Sequence, residues 1–564
     1  MTSPYLSQHA VQRRHLLKLV AASAASRWLP ANSGNQPAFT SSPFSLGVAS
    51  GSPTHDSVVL WTRLLPQGSS ISLAQGNSFS LPQGNSNNFL QGFLSASVAK
   101  EEITVRWEMA RDDKFAHIVQ SGQTRALSEL AHSVHAEVLG LEADRWYFYR
   151  FMAGDAVSPV GRTRTFPAPD AKVDRLRLAY ASCQRWEHGY FSAWRHMLEE
   201  NLDAVMFLGD YIYEYPGAAN PVRTPSGGWI TTLDDYRQRY ALYRSDADLQ
   251  AMHGACPWLV TWDDHEVQND YAGLQAGYSS ALDPSSPANF AARRAAAYQA
   301  FYEHMPIRAA VLTQALQGLA LGAEMRIYNR VNYGQLATFY LLDARQYKDP
   351  QPCAKDGKLG SNTFDPATCP EWPAPQRTML GAPQERWLNA EFNKSNQDTK
   401  SWNVLGQQSL FGQRDFKAGP GQTLWNDGWD GYPAARTRLT DSLRKNTVAN
   451  AVLLGGDVHE NWVGHVKADY ADTKSANVGV EFCGTSITSR SGSAARAKAD
   501  EWLAENPHFV FADTKAKGYG VIEFTPRQLT TTLRVVDDVT NKDSKIETLA
   551  SFVVQAGRSM IERT

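Results

Sequence analysis

The stretch Val205-Met206-Phe207-Leu208-Gly209-Asp210-Tyr211-Ile212-Tyr213-Glu214 decides the fold. Four apolar residues with no polar alternation read as a strand buried on both faces, the kind found in sheets covered by helices. Glycine then permits a sharp turn, and a carboxylate followed three residues later by a phenol leaves the strand end for a crevice.

The same texture recurs at Leu176–Ser182, Trp258–Trp262, Gln335–Leu342, Asn403–Leu405, Ala451–Leu454 and Val478–Phe482, separated by helical stretches. Buried strands alternating with helices predict a mixed α/β domain over about 175–540. Before it, alternating strands from Ser57 to Phe151 and a tyrosine-corner-like Leu139–Arg150 predict a small β-sandwich over about 43–168. Inside that sandwich, Gln-Gly recurs at Gln67, Gln75, Gln83 and Gln91 and reads as a duplicated surface loop. Gly518–Phe524 and Leu529–Val535 read as a hairpin. In the final segment, 541–564, the spacing of Ile546, Leu549, Phe552, Val553 and Met560 predicts an amphipathic helix.

Composition bounds the function. The 564 residues carry 55 lysines and arginines against 57 acidic residues, a formal charge of −2, so no basic field for a nucleic-acid backbone exists. No nucleic-acid partner is expected. Residues 1–42 hold Arg13-Arg14, the short apolar run Leu19–Ala25 and Trp28-Leu29-Pro30-Ala31, the order of a twin-arginine export signal and linker. The apolar run falls far short of the ~20 residues a membrane span needs. The chain is therefore expected to use the twin-arginine export machinery and to work in the periplasm or outside the cell, with no stable membrane span.

Three more strand ends carry chemistry. Cys183 closes Ala179-Tyr180-Ala181-Ser182. Asp263-Asp264-His265-Glu266 with Asn269 follows Trp262, and read as a helix it puts His265 and Asn269 on one face. Asp457 and His459 follow Gly455-Gly456, and on an extended chain their side chains point the same way, toward one metal or two adjacent ones. No Gly-x-Ser-x-Gly elbow and no GxxxxGK[ST] loop is present, which disfavours a serine hydrolase and a nucleotide-binding loop.

Strand-end Gly-Asp, Asp-His-Glu and Gly-Asp-x-His, in this order, is the layout of binuclear metallophosphoesterases. With Leu46–Gly51, Leu342–Tyr347, Trp429–Pro433 and Thr485–Ser489 added, the chain resembles the PhoD-like alkaline phosphatase/phosphodiesterase family over most of its length. The resemblance implies an α+β four-layer metallophosphoesterase sandwich preceded by an immunoglobulin- or fibronectin-like β-sandwich. It also implies a phosphate-ester hydrolase acting on monoesters, diesters or both, with an iron and calcium centre.

Against the general metallophosphoesterase pattern, Cys183, Tyr213, Asp264 and Asp457 stand where other ligands are usual. These swaps remove imidazoles and add a thiolate, a phenolate and carboxylates, a set suited to Fe(3+) beside the oxygen-preferring Ca(2+). On this reading Cys183, Asp210, Tyr213 and His459 hold iron. Asp210 bridges to calcium, which Asn269 and Asp457 complete with Asp264 as a further candidate; whether Asp263 or Asp264 faces the metals stays open. His265, Asp264 and Tyr211 form the expected catalytic set, His265 contacting the phosphate or its leaving oxygen and Tyr211 lining its pocket. Phospholipase-D-type or teichoic-acid phosphodiesterase action on the same site is the alternative, with a non-catalytic surface-binding protein behind it.

Five cysteines are an odd number. Outside the cytoplasm, Cys353 and Cys369, which bracket a short loop, are placed to form a disulfide. Cys256 and Cys483 adjoin apolar strand residues and read as buried thiols, which leaves Cys183 for the metal.

Overall fold

A computed structural model describes residues 39–65, 102–278, 290–312, 325–395, 402–491 and 499–564, apart from 216, 219, 225 and 226. The twin-arginine order and the Gln-Gly recurrences lie outside the described residues.

Two large sheets organise the chain. In the first, the strands Leu176–Ala181, Ala204–Phe207 and Trp258–Val260 run parallel side by side. Their neighbour Lys517–Phe524 is antiparallel, followed by Gln528–Val536, Ile546–Gln555 and Ile561–Arg563. In the second sheet Ala337–Leu341, Trp402–Gly406, Ala451–Gly455 and Asn477–Cys483 run parallel. Leu178, Met206 and Ile522 of the first sheet share one core with Phe339, Val404, Val452 and Phe482 of the second. On its other face the first sheet packs Val205, Phe207 and Trp258 against aromatic residues of helices, among them Trp194, Tyr240 and Phe301. The second packs Leu405 and Leu453 against Leu388, Phe392 and Leu439 of the helices Gly381–Ser395 and Pro433–Lys445. Both faces of each parallel run are thus apolar, which is why these strands read as unbroken hydrophobic runs.

The amino-terminal region is joined to this frame. Val48–Gly51, Ser57–Arg63 and Ser133–Leu139 extend the first sheet, through pairing of Gly51 with Trp258. A separate five-stranded sheet, including Ile103–Ala110, Ile118–Ala126 and Trp146–Ala153, shares a core with them built on Val58, Leu60, Val105, Met109 and Tyr149. The Tyr147 hydroxyl accepts a hydrogen bond from the Glu142 N–H at 3.1 Å, tying the turn to the strand that follows it.

The expected terminal helix is a correction. Residues 546–563 form two strands: Ala550, Phe552 and Val554 alternate into the core, Leu549 packs against it where the pairing with Leu533 and Arg534 shifts register, and Val553 is half-buried. Period two fits this segment as well as period 3.6, and pairing with the otherwise open edge of Gln528–Val536 satisfies its backbone as strand. The sheet consequently continues past residue 540, where the sequence reading ended the catalytic domain. Among the described residues no helix is long and apolar enough to cross a membrane.

Candidate metal centre

The carboxyl ends of the parallel strands from both sheets converge, and each delivers side chains just past its last residue. Leu176–Ala181 leads to Cys183, Ala204–Phe207 to Asp210, Trp258–Val260 to Asp263 and Asp264, Ala337–Leu341 to Arg345, and Ala451–Gly455 to Asp457 and His459. Four of these, Cys183, Asp210, Asp457 and His459, have φ between 58° and 65°. Non-glycine residues held there cost on the order of 1 kcal/mol or more each, and such strain gathers at functional sites. Gly209 supplies the tightest turn: at φ 109° a Cβ would lie 2.5 Å from Asp263 Cβ.

Two ligand clusters meet at Asp210. Ligand atoms of Cys183, Asp210 and His459 lie within 4.8 Å of one another, as do those of Asp210, Asp264 and His265. A further group of the same compactness joins Asp263, Asp264 and Asp457. Tyr213 belongs to the first cluster. Its hydroxyl lies 3.0 Å from Asp210 Oδ2 and 3.2 Å from His459 Nε2, and Ser489 Oγ is 2.7 Å from the phenol oxygen.

Asp457 and His459 therefore serve different clusters. They do so from left-handed backbone rather than the extended chain expected of them, with Val458 N–H closing a tight turn on Gly456 O at 2.7 Å.

The segment after Trp262 is turn, not helix. Val267 and Gln268 N–H both donate to Asp264 O, and the chain then bends away. Asn269 is half-buried, with its N–H on Glu214 Oε1 at 2.8 Å. Both aspartates lie in the centre: Asp263 Oδ1 accepts from Arg345 at 2.5 Å, and Asp264 Oδ2 accepts the Asp270 N–H at 2.7 Å.

Tyr211 is a second correction. Its hydroxyl meets His253 Nε2 at 3.0 Å, and its ring packs against Phe207 and Tyr240 inside the core. The left-handed turn at Asp210 upsets the reading of neighbouring residues as sharing a crevice, so Tyr213 enters the site and Tyr211 leaves it.

Several residues that hold the site carried no role in the sequence reading. Glu266 accepts the N–H groups of Asp210, Tyr211 and Asp263. Glu214, fully buried, receives His265 Nδ1 at 2.6 Å. The Arg345 guanidinium faces Asp263, Asp427, Asp264 and Asp457 at 2.5, 2.7, 3.4 and 3.7 Å, and Lys348 Nζ lies 2.5 Å from Asp427. Arg345 stands in the quoted Leu342–Tyr347 stretch, where a polar residue shortly after a strand was the available signal.

Electrostatics call for cations here. Burial, and then Asp264 and Asp263, push the Asp210 carboxyl well above the usual carboxylate range. Burial, then Asp210, does the same to the Cys183 thiol and the Tyr213 phenol. Asp457 rises to about 6, chiefly through burial. For His265 burial works against the charged form, yet Glu214 and Asp264 lift its pKa above the ordinary imidazole value. Asp263 Oδ2 and Asp264 Oδ1 are buried and meet no hydrogen-bond donor. A buried carboxylate oxygen without a donor is costly, and a metal ion is the partner that fits it. The donor set thus fits a pair of cations sharing Asp210.

Away from this centre, Cys353 and Cys369 are joined as a disulfide, while Cys183, Cys256 and Cys483 are free and buried.

Comparison with known proteins points one way. The sequence model of the PhoD-like phosphatases matches residues 178–533, and that of the PhoD-like phosphatase N-terminal domain matches residues 29–167. Alkaline phosphatase D of Bacillus subtilis (strain 168) is 43% identical over 533 residues, a match that spans 93% of this chain and 83% of that protein. A solved structure described as the structure of PhoD superposes with a TM-score of 0.80 at 41% identity, over 94% of this chain and 93% of that one.

Proposed function

The chain belongs to the PhoD-like phosphatase family, and on that premise we propose that it is an exported, metal-dependent hydrolase of phosphate esters with a mixed iron and calcium centre. The observation that carries this reading is the sharing of Asp210 between a cluster with Cys183 and His459 and a cluster with Asp264 and His265.

Cys183, Asp210, Tyr213 and His459 would hold ferric iron. Asp210, Asp264, Asn269 and Asp457 would hold calcium, whose preference for oxygen they meet. Bound there, two cations would grip the phosphoryl oxygens, lower the pKa of a water and offset the charge of an in-line transition state.

The chain's own residues do the rest. Glu266 fixes the Asp210 turn through backbone N–H groups, so the shared carboxylate is aimed before any substrate arrives. Arg345 balances the surrounding carboxylates from behind. Glu214 accepts a hydrogen bond from His265 Nδ1–H and so leaves Nε2–H of the charged imidazole free to donate to the leaving-group oxygen.

The site forms at strand ends facing each other across two sheets, and this arrangement supports the four-layer metallophosphoesterase sandwich with a β-sandwich in front. The Arg13-Arg14 signal order and the Cys353–Cys369 bond support twin-arginine export to the periplasm or beyond.

The test is a parallel assay of a phosphate monoester and a diester before chelation, after it, and after return of calcium or iron. Hydrolysis that chelation removes and the two ions together restore is expected. Undiminished hydrolysis after complete chelation refutes the proposal.

A further inference from the structure

The rim of the site carries an aromatic surface that the mechanism does not use. The Tyr213 ring centroid lies 4.1 Å from that of His265, and the Tyr215 ring lies 5.1 Å from the same imidazole. Tyr215 meets Trp229 edge to face at 5.4 Å and stacks with Tyr278 at 6.4 Å, and Trp229 and Tyr278 are 5.5 Å apart. Along this series exposure grows: Tyr213 and His265 are buried, whereas Tyr215, Trp229 and Tyr278 are each half-buried. A wall of rings therefore leads from the shared carboxylate's neighbours toward solvent.

The wall is built rather than incidental. The buried Arg239 guanidinium donates to the carbonyls of Tyr213, Tyr215 and Gly228, the last two at 3.0 and 3.2 Å. The Ile230 N–H donates to Glu214 O at 3.1 Å, which joins the Trp229 segment to the same turn. The Tyr278 hydroxyl donates to Glu214 Oε1 at 3.3 Å, and Glu214 also grips His265. Rings and imidazole thus form one hydrogen-bonded unit, and rings fixed in advance lose little freedom when a ligand stacks on them.

Charge decides what the wall takes. The Arg185 guanidinium lies 5.1 Å from the Tyr215 centroid and 5.6 Å from that of Tyr213. The cation position on Tyr215, the ring of the wall next to His265, is filled by the chain's own arginine, so a cationic leaving group meets repulsion there that a neutral planar ring does not.

From this geometry we infer that Tyr215, Trp229 and Tyr278 form a leaving-group subsite that favours phosphate esters whose alcohol bears a neutral planar ring over esters of small aliphatic or cationic alcohols. The inference rests on the phosphate-ester reading of the adjoining centre. A nucleoside and an aryl alcohol share this chemistry.

The test uses the metal-loaded full chain with four esters of primary alcohols, so that leaving-group chemistry stays comparable: a nucleoside 5′-monophosphate, benzyl phosphate, glycerol phosphate and phosphocholine. Ring esters should exceed glycerol phosphate in kcat/KM by about tenfold, the scale of one ring stacked on an aromatic side chain. Trp229→Ala should abolish most of that ratio and Trp229→Phe, which keeps a ring, should retain it. A gain by the nucleoside ester alone would assign the wall to nucleobases, and a gain by both ring esters to planar rings in general. Equal kcat/KM for ring and glycerol esters in the unaltered protein, or a ratio untouched by Trp229→Ala, overturns the inference, as does preferential use of phosphocholine through Trp229. Hydrolysis of a phosphate diester but of none of the four also overturns the inference, and failure on the diester as well refutes the hydrolase reading itself, an outcome distinct from hydrolysis without preference.

Discussion

The Tyr213 hydroxyl lies 3.0 Å from Asp210 Oδ2, three residues back along the chain, and 3.2 Å from His459 Nε2 on the other sheet. A phenol this buried, flanked by a carboxylate and a thiol, ionises only if a cation compensates it, since burial and Asp210 both oppose the phenolate.

If the proposed ferric iron is held there, it would take the phenolate as a ligand, and the loaded protein should absorb in the visible range by phenolate-to-iron charge transfer. Tyr213→Phe should bleach that band and lower phosphate-ester turnover by about a hundredfold, the upper range for losing a group that orders a metal site. An absorption spectrum and a steady-state assay on the same preparation check both. A Tyr213→Phe protein with unchanged colour and turnover would remove Tyr213 from the centre.

Arg345 is buried and faces four carboxylates. Removing one partner of a buried ionic cluster leaves the others uncompensated, at a cost of about 3–5 kcal/mol. Arg345→Ala should therefore lower the unfolding free energy of the metal-stripped protein by about that amount, read by denaturant titration. An Arg345→Ala protein as stable as the parent would show that the carboxylates are not repelling one another as the geometry requires.

Acid stability offers a test remote from the metals. His508 is neutral in the folded chain, its pKa lowered to about 3 mainly by burial, with Nε2 2.8 Å from Gln413 O. The unfolded chain takes up this proton near the ordinary imidazole pKa of about 6.5, so folded stability contributed by His508 is complete above that pH. It is lost progressively as pH falls from about 6.5 toward 3. Unfolding midpoints of the parent and of His508→Gln, compared at pH 7 and pH 5, should converge or cross, with the parent losing more on acidification. Equal losses in both proteins would assign the acid sensitivity to other groups.

Much of this centre was legible before the structure. Asp210 and Asp457 each follow a fully apolar run and Cys183 a largely apolar one, and the physics that buries such a run in a covered parallel sheet also delivers the next polar residues to the strand-end crevice. Pairings across long sequence separations were not legible. Nothing local links Glu214 to His265, or Arg345 to Asp427, because those contacts exist only once strands far apart in the chain lie side by side and bring the segments after them together. Local geometry failed where the backbone leaves its usual regions. With Asp210 in the left-handed region, neighbouring side chains no longer point as an extended or helical chain would have them, so Tyr211 goes to the core. Between 546 and 563 the residues fit two periods, and the choice fell to an unpaired sheet edge that the sequence does not display.

The most direct test of the shared Asp210 is metal analysis of the active, unchelated protein beside its Asp210→Asn variant, with turnover of one phosphate ester measured on each. The parent is predicted to carry both iron and calcium, and Asp210→Asn to lose occupancy of both together with turnover, because one carboxylate serves the two positions. Loss of one metal with full retention of the other, or an Asp210→Asn protein that keeps its turnover, would contradict the account.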